Sequence, residues 1–140
     1  MAIQQIESLE AGASRLEFRH EHGLWCWLVL EYEGADHFLG GDEVLVILRR
    51  LLAFFEGTSG QPGAGHGDGL VWQWILTTGM PHHSLFGAKD GDETILKFWD
   101  ADAGREITRV RLTAAETAHW IERLNTWRFD AERFGDNAFV

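Results

Sequence analysis

Cysteine occurs once in the 140 residues and proline twice. The lone Cys26 excludes an intrachain disulfide framework, and a chain of this length, burying roughly two thirds of its unfolded surface, needs none. Long apolar runs are missing as well. None exceeds the seven residues from Leu24 to Leu30, and the first fourteen residues hold no Lys or Arg, so neither a membrane span nor a secretory signal of the usual form is expected. Basic charge is scarce: 12 Lys and Arg face 22 Asp and Glu, for a net charge of −10. That deficit counts against a broad phosphate-binding footprint, so neither nucleic acid nor a membrane is an expected partner, and the cytoplasm is the expected location.

What the chain does hold is 45% hydrophobic residues and seven tryptophans, enough for one compact domain over 1–140. Its acidity lies early, with four Arg against eleven acids in residues 1–69. Ile3, Ile6 and Leu9 have helix-like spacing and suggest at most a helical turn. From Arg15 the pattern changes: Leu16, Phe18 and His20 alternate with Arg15, Glu17 and Arg19, predicting a half-buried strand near 15–20. Residues 24–32 are apolar on both faces, as an interior strand would be, and form a hairpin with the first. Residues 70–78 repeat that two-sided pattern. With strands near 94–99 and 105–112, joined by the Asp/Gly-rich turn Asp100–Gly104, the count is about five strands of a mainly antiparallel sheet. Strands grouped apart from helices argue for an α+β fold rather than βαβ winding.

Two helices are expected. Asp42 is a natural N-cap, Glu43 falls in the first turn and Gly57 follows the last apolar residue, so the first spans 42–56. Apolar side chains cover nearly all its faces, which calls for two apolar neighbours or a homodimer through this helix. Thr113 and Glu116 form a capping box opening a second helix over 113–127, with Thr117, Trp120, Ile121, Leu124 and Trp127 on one face. Between these elements, 57–69 holds six glycines and no Lys, which excludes a phosphate-binding P-loop and reads as a mobile connection. Residues 80–92 read as irregular, and 128–140 as a Phe-containing tail.

Chemistry-bearing residues are present without a catalytic frame. His20 and His22, and His82 and His83, could supply imidazole ligands, but no Cys-x-x-Cys or His-Glu-x-x-His spacing accompanies them, so no metal or cofactor is expected. Cys26, between Trp25 and Trp27 in a strand, reads as a buried inert thiol. Ser84 follows two histidines but lies in no nucleophile elbow, and enzymatic activity is not expected. The acids Asp90, Asp92 and Glu93 lie about 20 Å along one strand from Asp100 and Asp102, too far to share a cation. Arg105, Arg109 and Arg111 read as cross-strand ion-pair partners. The best candidate for a small-molecule pocket is Trp72 and Trp74 with Met80, His82 and His83, although such a Trp pair more commonly packs under a helix, here the face of Trp120, Ile121 and Leu124.

Small size, acidity, aromatic content and the lack of a catalytic constellation together suit a binding protein that neutralises a basic protein partner, of the immunity-protein, antitoxin or anti-defence-inhibitor type. This expectation rests on class analogy. Its candidate contact residues are Glu31, Glu33, Asp36, Asp42 and Glu43, which occur within thirteen residues free of Lys and Arg. Glu31 and Glu33 project with Trp25, Trp27 and Val29, so an apolar strand face runs into an acidic rim. The alternatives are a small-molecule binder or enzyme built on the aromatic and histidine residues, and an oligomeric structural or chaperone subunit.

Overall fold

The computed structural model describes residues 4–11, 14–22, 25–57, 63–67, 69–77 and 83–134. Four strands, β1 (Gln4–Ala11), β2 (Ser14–His22), β3 (Trp25–Tyr32) and β4 (Ala35–Glu43), lead into helix α1 (Val44–Phe55). Five more, β5 (Gly63–Gly67), β6 (Leu70–Thr77), β7 (His83–Asp90), β8 (Glu93–Asp100) and β9 (Arg105–Leu112), lead into helix α2 (Ala114–Phe134). Each set is an antiparallel meander in chain order, giving a four-stranded and a five-stranded sheet. The architecture is α+β, as the segregation of strands and helices predicted.

The five expected strands correspond to β2, β3, β6, β8 and β9, and β2 and β3 form the expected hairpin. Four strands escaped the sequence pattern. Of the residues with helix-like spacing near the N-terminus, Ile6 and Leu9 lie in β1, whose pairing with β2 shifts register between Gln5 and Glu7, and a bulge of this kind breaks a period of two, while Ile3 lies outside the described residues. Gly40 and Gly41 lie within β4, where a Cβ on Gly41 would collide with the Trp27 ring. Part of the glycine-rich connection is strand β5, and most of the segment expected to be irregular is β7.

Helix α1 begins later than expected because β4 pairs with β3 as far as Glu43. Asp42 therefore does not cap the helix. Its Oδ1 accepts the Glu43 N–H at 2.7 Å, and Glu43 takes the N-cap position without a side-chain capping bond. At the other end the expectation holds: Gly57, at φ 72°, donates to the Phe54 carbonyl. Lys89 reaches this end from β7, donating to the Phe55 carbonyl at 3.1 Å, where the helix dipole favours a cation.

The apolar excess of α1 is absorbed within the chain. The helix touches β3, β4, β6 and α2, and Ile47, Leu48, Leu51, Leu52, Phe54 and Phe55 are buried in one cluster with Leu28, Leu30, Leu85, Leu96, Trp120 and Leu124. Val46 and Ala53 are half-buried, and Arg49 and Arg50 face solvent. This cover supplies the apolar neighbours that the sequence of α1 calls for, the alternative to a homodimer through this helix. Helix α2 starts with the expected capping box, Thr113 Oγ1 accepting from Glu116 N–H and Glu116 Oε1 from Thr113 N–H, both at 3.1 Å. It continues past 127 through Phe134, so the first part of the expected tail is helical. Residues 135–140 lie outside the described residues.

Candidate functional site

The acidic segment is divided by the strand it occupies. Asp36 and Glu43 sit near opposite ends of β4, about 23 Å apart at strand rise, so Asp42 and Glu43 cannot share a patch with Glu31, Glu33 and Asp36. Two of the remaining three are neutralised inside the fold. Alternation along β2 puts Arg15, Glu17 and Arg19 on its outer face, and antiparallel register sets Glu31 opposite Arg15 and Asp36 opposite Glu31. Arg15 donates to Glu31 at 2.7 Å, and Arg19 donates twice to Asp36, at 2.8 and 3.1 Å. The Asp36 carboxyl is held below its usual range chiefly by that Arg19 hydrogen bond. Lysine substitutions at Glu31 and Asp36 would therefore break internal pairs and perturb the fold itself.

The aromatic and histidine residues proposed as a pocket are also separated. In β7, Leu85 faces the main core and Phe86 the opposite side, so His83 shares the inward face with Leu85. Trp74 contacts Phe86 on the outer face, with ring centroids 6.0 Å apart. Trp72 is buried, but not under Trp120, Ile121 and Leu124. It packs with Ala88 and Ile95, and the Lys97 ammonium and Arg109 guanidinium lie 4.2 and 5.0 Å from its ring centroid. Long cationic side chains cover an aromatic surface in this way while their heads stay wet. Met80 and His82 lie outside the described residues.

Different groups converge where the two sheets meet. The β3–β4 hairpin is a two-residue turn with both residues at positive φ, Glu33 at 53° and Gly34 at 78°, the pattern of a type I′ turn. The β8–β9 hairpin closes through Asp100 Oδ1, which accepts the N–H groups of Asp102 and Ala103 at 3.0 Å each. A cleft of about 430 Å³ lies between these two hairpin ends, lined by Tyr32, Glu33, Ala35, His37, Asp100, Arg105, Glu106 and Ile107. Three carboxylates and one guanidinium give it an acidic balance. The Asp100 carboxyl is kept below its usual range, first by the Ala103 N–H, and is therefore ionised at neutral pH.

Next to the cleft, β4 crosses β7 and two imidazoles bridge the seam. His83 Nδ1 lies 3.0 Å from the Phe38 carbonyl oxygen, and since a carbonyl only accepts, Nδ1 carries the proton. His83 Nε2 faces Asp100 Oδ2 at 3.8 Å. The His37 ring meets the His83 ring edge-on, at 5.6 Å and 80°. Burial, and then the charge of His83, push the His37 imidazole below its ordinary value.

Among the described residues, neither Ser84 nor Cys26 is presented to the His37–His83 pair as a nucleophile. Ser84 follows His83 but alternates to the other face of β7, and Cys26 is buried in the core with its thiol pushed up to about 12 by desolvation. Among the described residues no three His, Cys, Asp or Glu side chains converge as a metal would require, and no helix is long and apolar enough to cross a membrane. Of the five acidic residues expected to contact a partner, Glu31, Glu33, Asp36, Asp42 and Glu43, only Glu33 lines the cleft. Tyr32, His37, Asp100, Arg105 and Glu106 join it because two hairpin ends from different sheets are brought together, and no local pattern announces that. The usable signal was the pair of turn sequences, Glu-Gly after Tyr32 and Asp-Ala-Gly before Arg105, each with polar flanks. Comparison with protein families, with curated proteins and with solved structures finds none that matches this chain.

Proposed function

We propose that this chain is a small acidic binding protein that neutralises a basic protein partner, of the immunity-protein, antitoxin or anti-defence-inhibitor type, and that the partner docks at the inter-sheet cleft with a Lys or Arg side chain between Glu33, Asp100 and Glu106. The observation that carries this reading is the backbone of Glu33. Both positions of a type I′ turn favour Asn or Gly, because a left-handed conformation costs other residues on the order of 1 kcal/mol. Glu33 sits there at φ 53° and lines the cleft. Strain of this kind is retained where the side chain has another use, and a carboxylate at the mouth of an acidic cleft supplies one.

Two outcomes follow. Replacing Glu33 with Asn should raise stability by about 1 kcal/mol in urea unfolding, and a loss of stability would show that the carboxylate serves the fold rather than a partner. In stopped-flow association with a basic protein partner, Glu33→Lys should slow the on-rate by about tenfold or more at low salt, while Arg105→Glu should speed it, with both effects shrinking as salt rises. Absence of a complex, or an on-rate indifferent to both substitutions, would remove this face as the docking site.

A further inference from the structure

Beside the cleft, a polar contact across the β4–β7 seam is made by one of two titratable rings that meet there. His83 holds the Phe38 carbonyl of β4 through Nδ1 and faces Asp100 of β8 through Nε2. His37 of β4 packs edge-on against His83 and is itself a wall of the cleft. Each charged group that faces the pair has a defined position. Asp100 is the carboxylate adjacent to His83, and its Oδ1 is taken by the β8–β9 turn. Asp36, next to His37 in sequence, is bound by Arg19. Glu33 from the β3–β4 turn, and Arg105 and Glu106 from β9, line the cleft beyond His37. One proton on the pair can thus be balanced by Asp100. A second, on His37, is favoured by Asp100 and Asp36 less than burial and the charge of His83 oppose it.

We propose that His37 and His83 form a proton-driven latch across the β4–β7 seam, closed at neutral pH and opened on acidification, when a second positive charge on the ring pair parts the two sheets beside the cleft. Half-burial of His37 sharpens the effect, since a charge there is poorly hydrated until the seam opens. The low pKa direction of His37 agrees with this, because an open seam that hydrates the ring takes up the proton the closed one resists. The consequence for a partner, release as pH falls, rests on the docking reading above. The latch itself does not.

The test uses the free full-length chain and so separates the two ideas. In nitrogen-edited NMR, the His83 Nδ1–H proton protected from exchange by its bond to the Phe38 carbonyl, and the NOE between the His37 and His83 rings, report the closed seam. Lowering pH from about 7.5 to about 5 should abolish the ring–ring NOE and the Nδ1–H signal together. Amides in the β2–β3 hairpin should keep their shifts. In His37→Phe, or in His37→Gln should the larger ring disturb packing, the Nδ1–H signal should persist across the whole range. Persistence of both signals at the low-pH end in the unmodified chain overturns the latch, as does loss of the Nδ1–H signal in the His37 variants. A latch that opens as described in a protein whose association ignores Glu33→Lys would leave the latch standing and the docking site refuted.

Discussion

Replacing Glu17 with alanine is expected to lower the unfolding free energy by about 3 kcal/mol, the lower end of the range for breaking a buried ion pair. Glu17 is 2% exposed and lies between two guanidiniums, 2.9 Å from Arg15 and 2.7 Å from Arg19. It is the centre of a five-member chain running Glu31, Arg15, Glu17, Arg19, Asp36 across β2, β3 and β4. Removing the centre leaves two cations facing each other beneath partial cover. The loss stays below the top of the range because each Arg keeps its outer carboxylate and Arg15 keeps part of its hydration. Glu17→Gln, which preserves shape and one acceptor, should cost roughly half as much. Urea unfolding at neutral pH measures both, and a loss for the alanine variant under about 0.5 kcal/mol would place the network with ordinary surface pairs.

Two acid transitions are expected to be separable. A carboxyl held low by its partner contributes stability that is present above its unfolded pKa, about 3.9 for Asp, and is lost as pH falls through the lower folded value. Asp36 and Asp100 are of this kind. His37 shifts the same way with a different consequence. Its folded pKa lies below the unfolded value of about 6.5, so the unfolded state takes up the proton first and stability falls as pH drops from there toward the folded pKa. The histidine loss thus precedes the carboxylate loss on acidification, and histidine substitution at the seam should remove only the first.

The strands readable from the sequence are those in which an apolar period of two survives beside charge. In β2, Leu16 and Phe18 alternate with Arg15, Glu17 and Arg19, and in β9 Val110 and Leu112 alternate with Arg109 and Arg111. Burial follows the alternation in β9, and in β2 it departs from it only at Glu17, which is buried between two arginines. The capping box of α2 was equally plain because its two hydrogen bonds join residues three apart. What the pattern concealed is long-range. Gly40 and Gly41 resemble turn residues until the Trp27 ring lies over Gly41. The acids of 31–43 resemble a free rim until Arg15 and Arg19 from β2 are set opposite two of them. The cleft needs the β3–β4 and β8–β9 turns to meet, which depends on how one sheet lies on the other.

Gly87 makes the same point in the form of an experiment. The glycine interrupts the apolar pattern of β7 and made 80–92 look irregular, yet it is paired with Gln73 on one side and Leu96 on the other. Its φ is not in the left-handed region, so conformational freedom is not the reason for glycine here. Space is: a Cβ at this position would overlap the ring of Phe54, which is 2% exposed at the centre of the core and has Lys89 over it. Gly87→Val should therefore destabilise the protein by about 1–3 kcal/mol through overpacking, despite the higher strand propensity of valine. Phe54→Ala alone should cost about 3–5 kcal/mol by opening a cavity. In the double variant the valine enters that cavity, so its total loss should fall short of the sum of the single losses by at least about 1 kcal/mol. Additive losses in urea unfolding would show that something other than Phe54 requires glycine at this position.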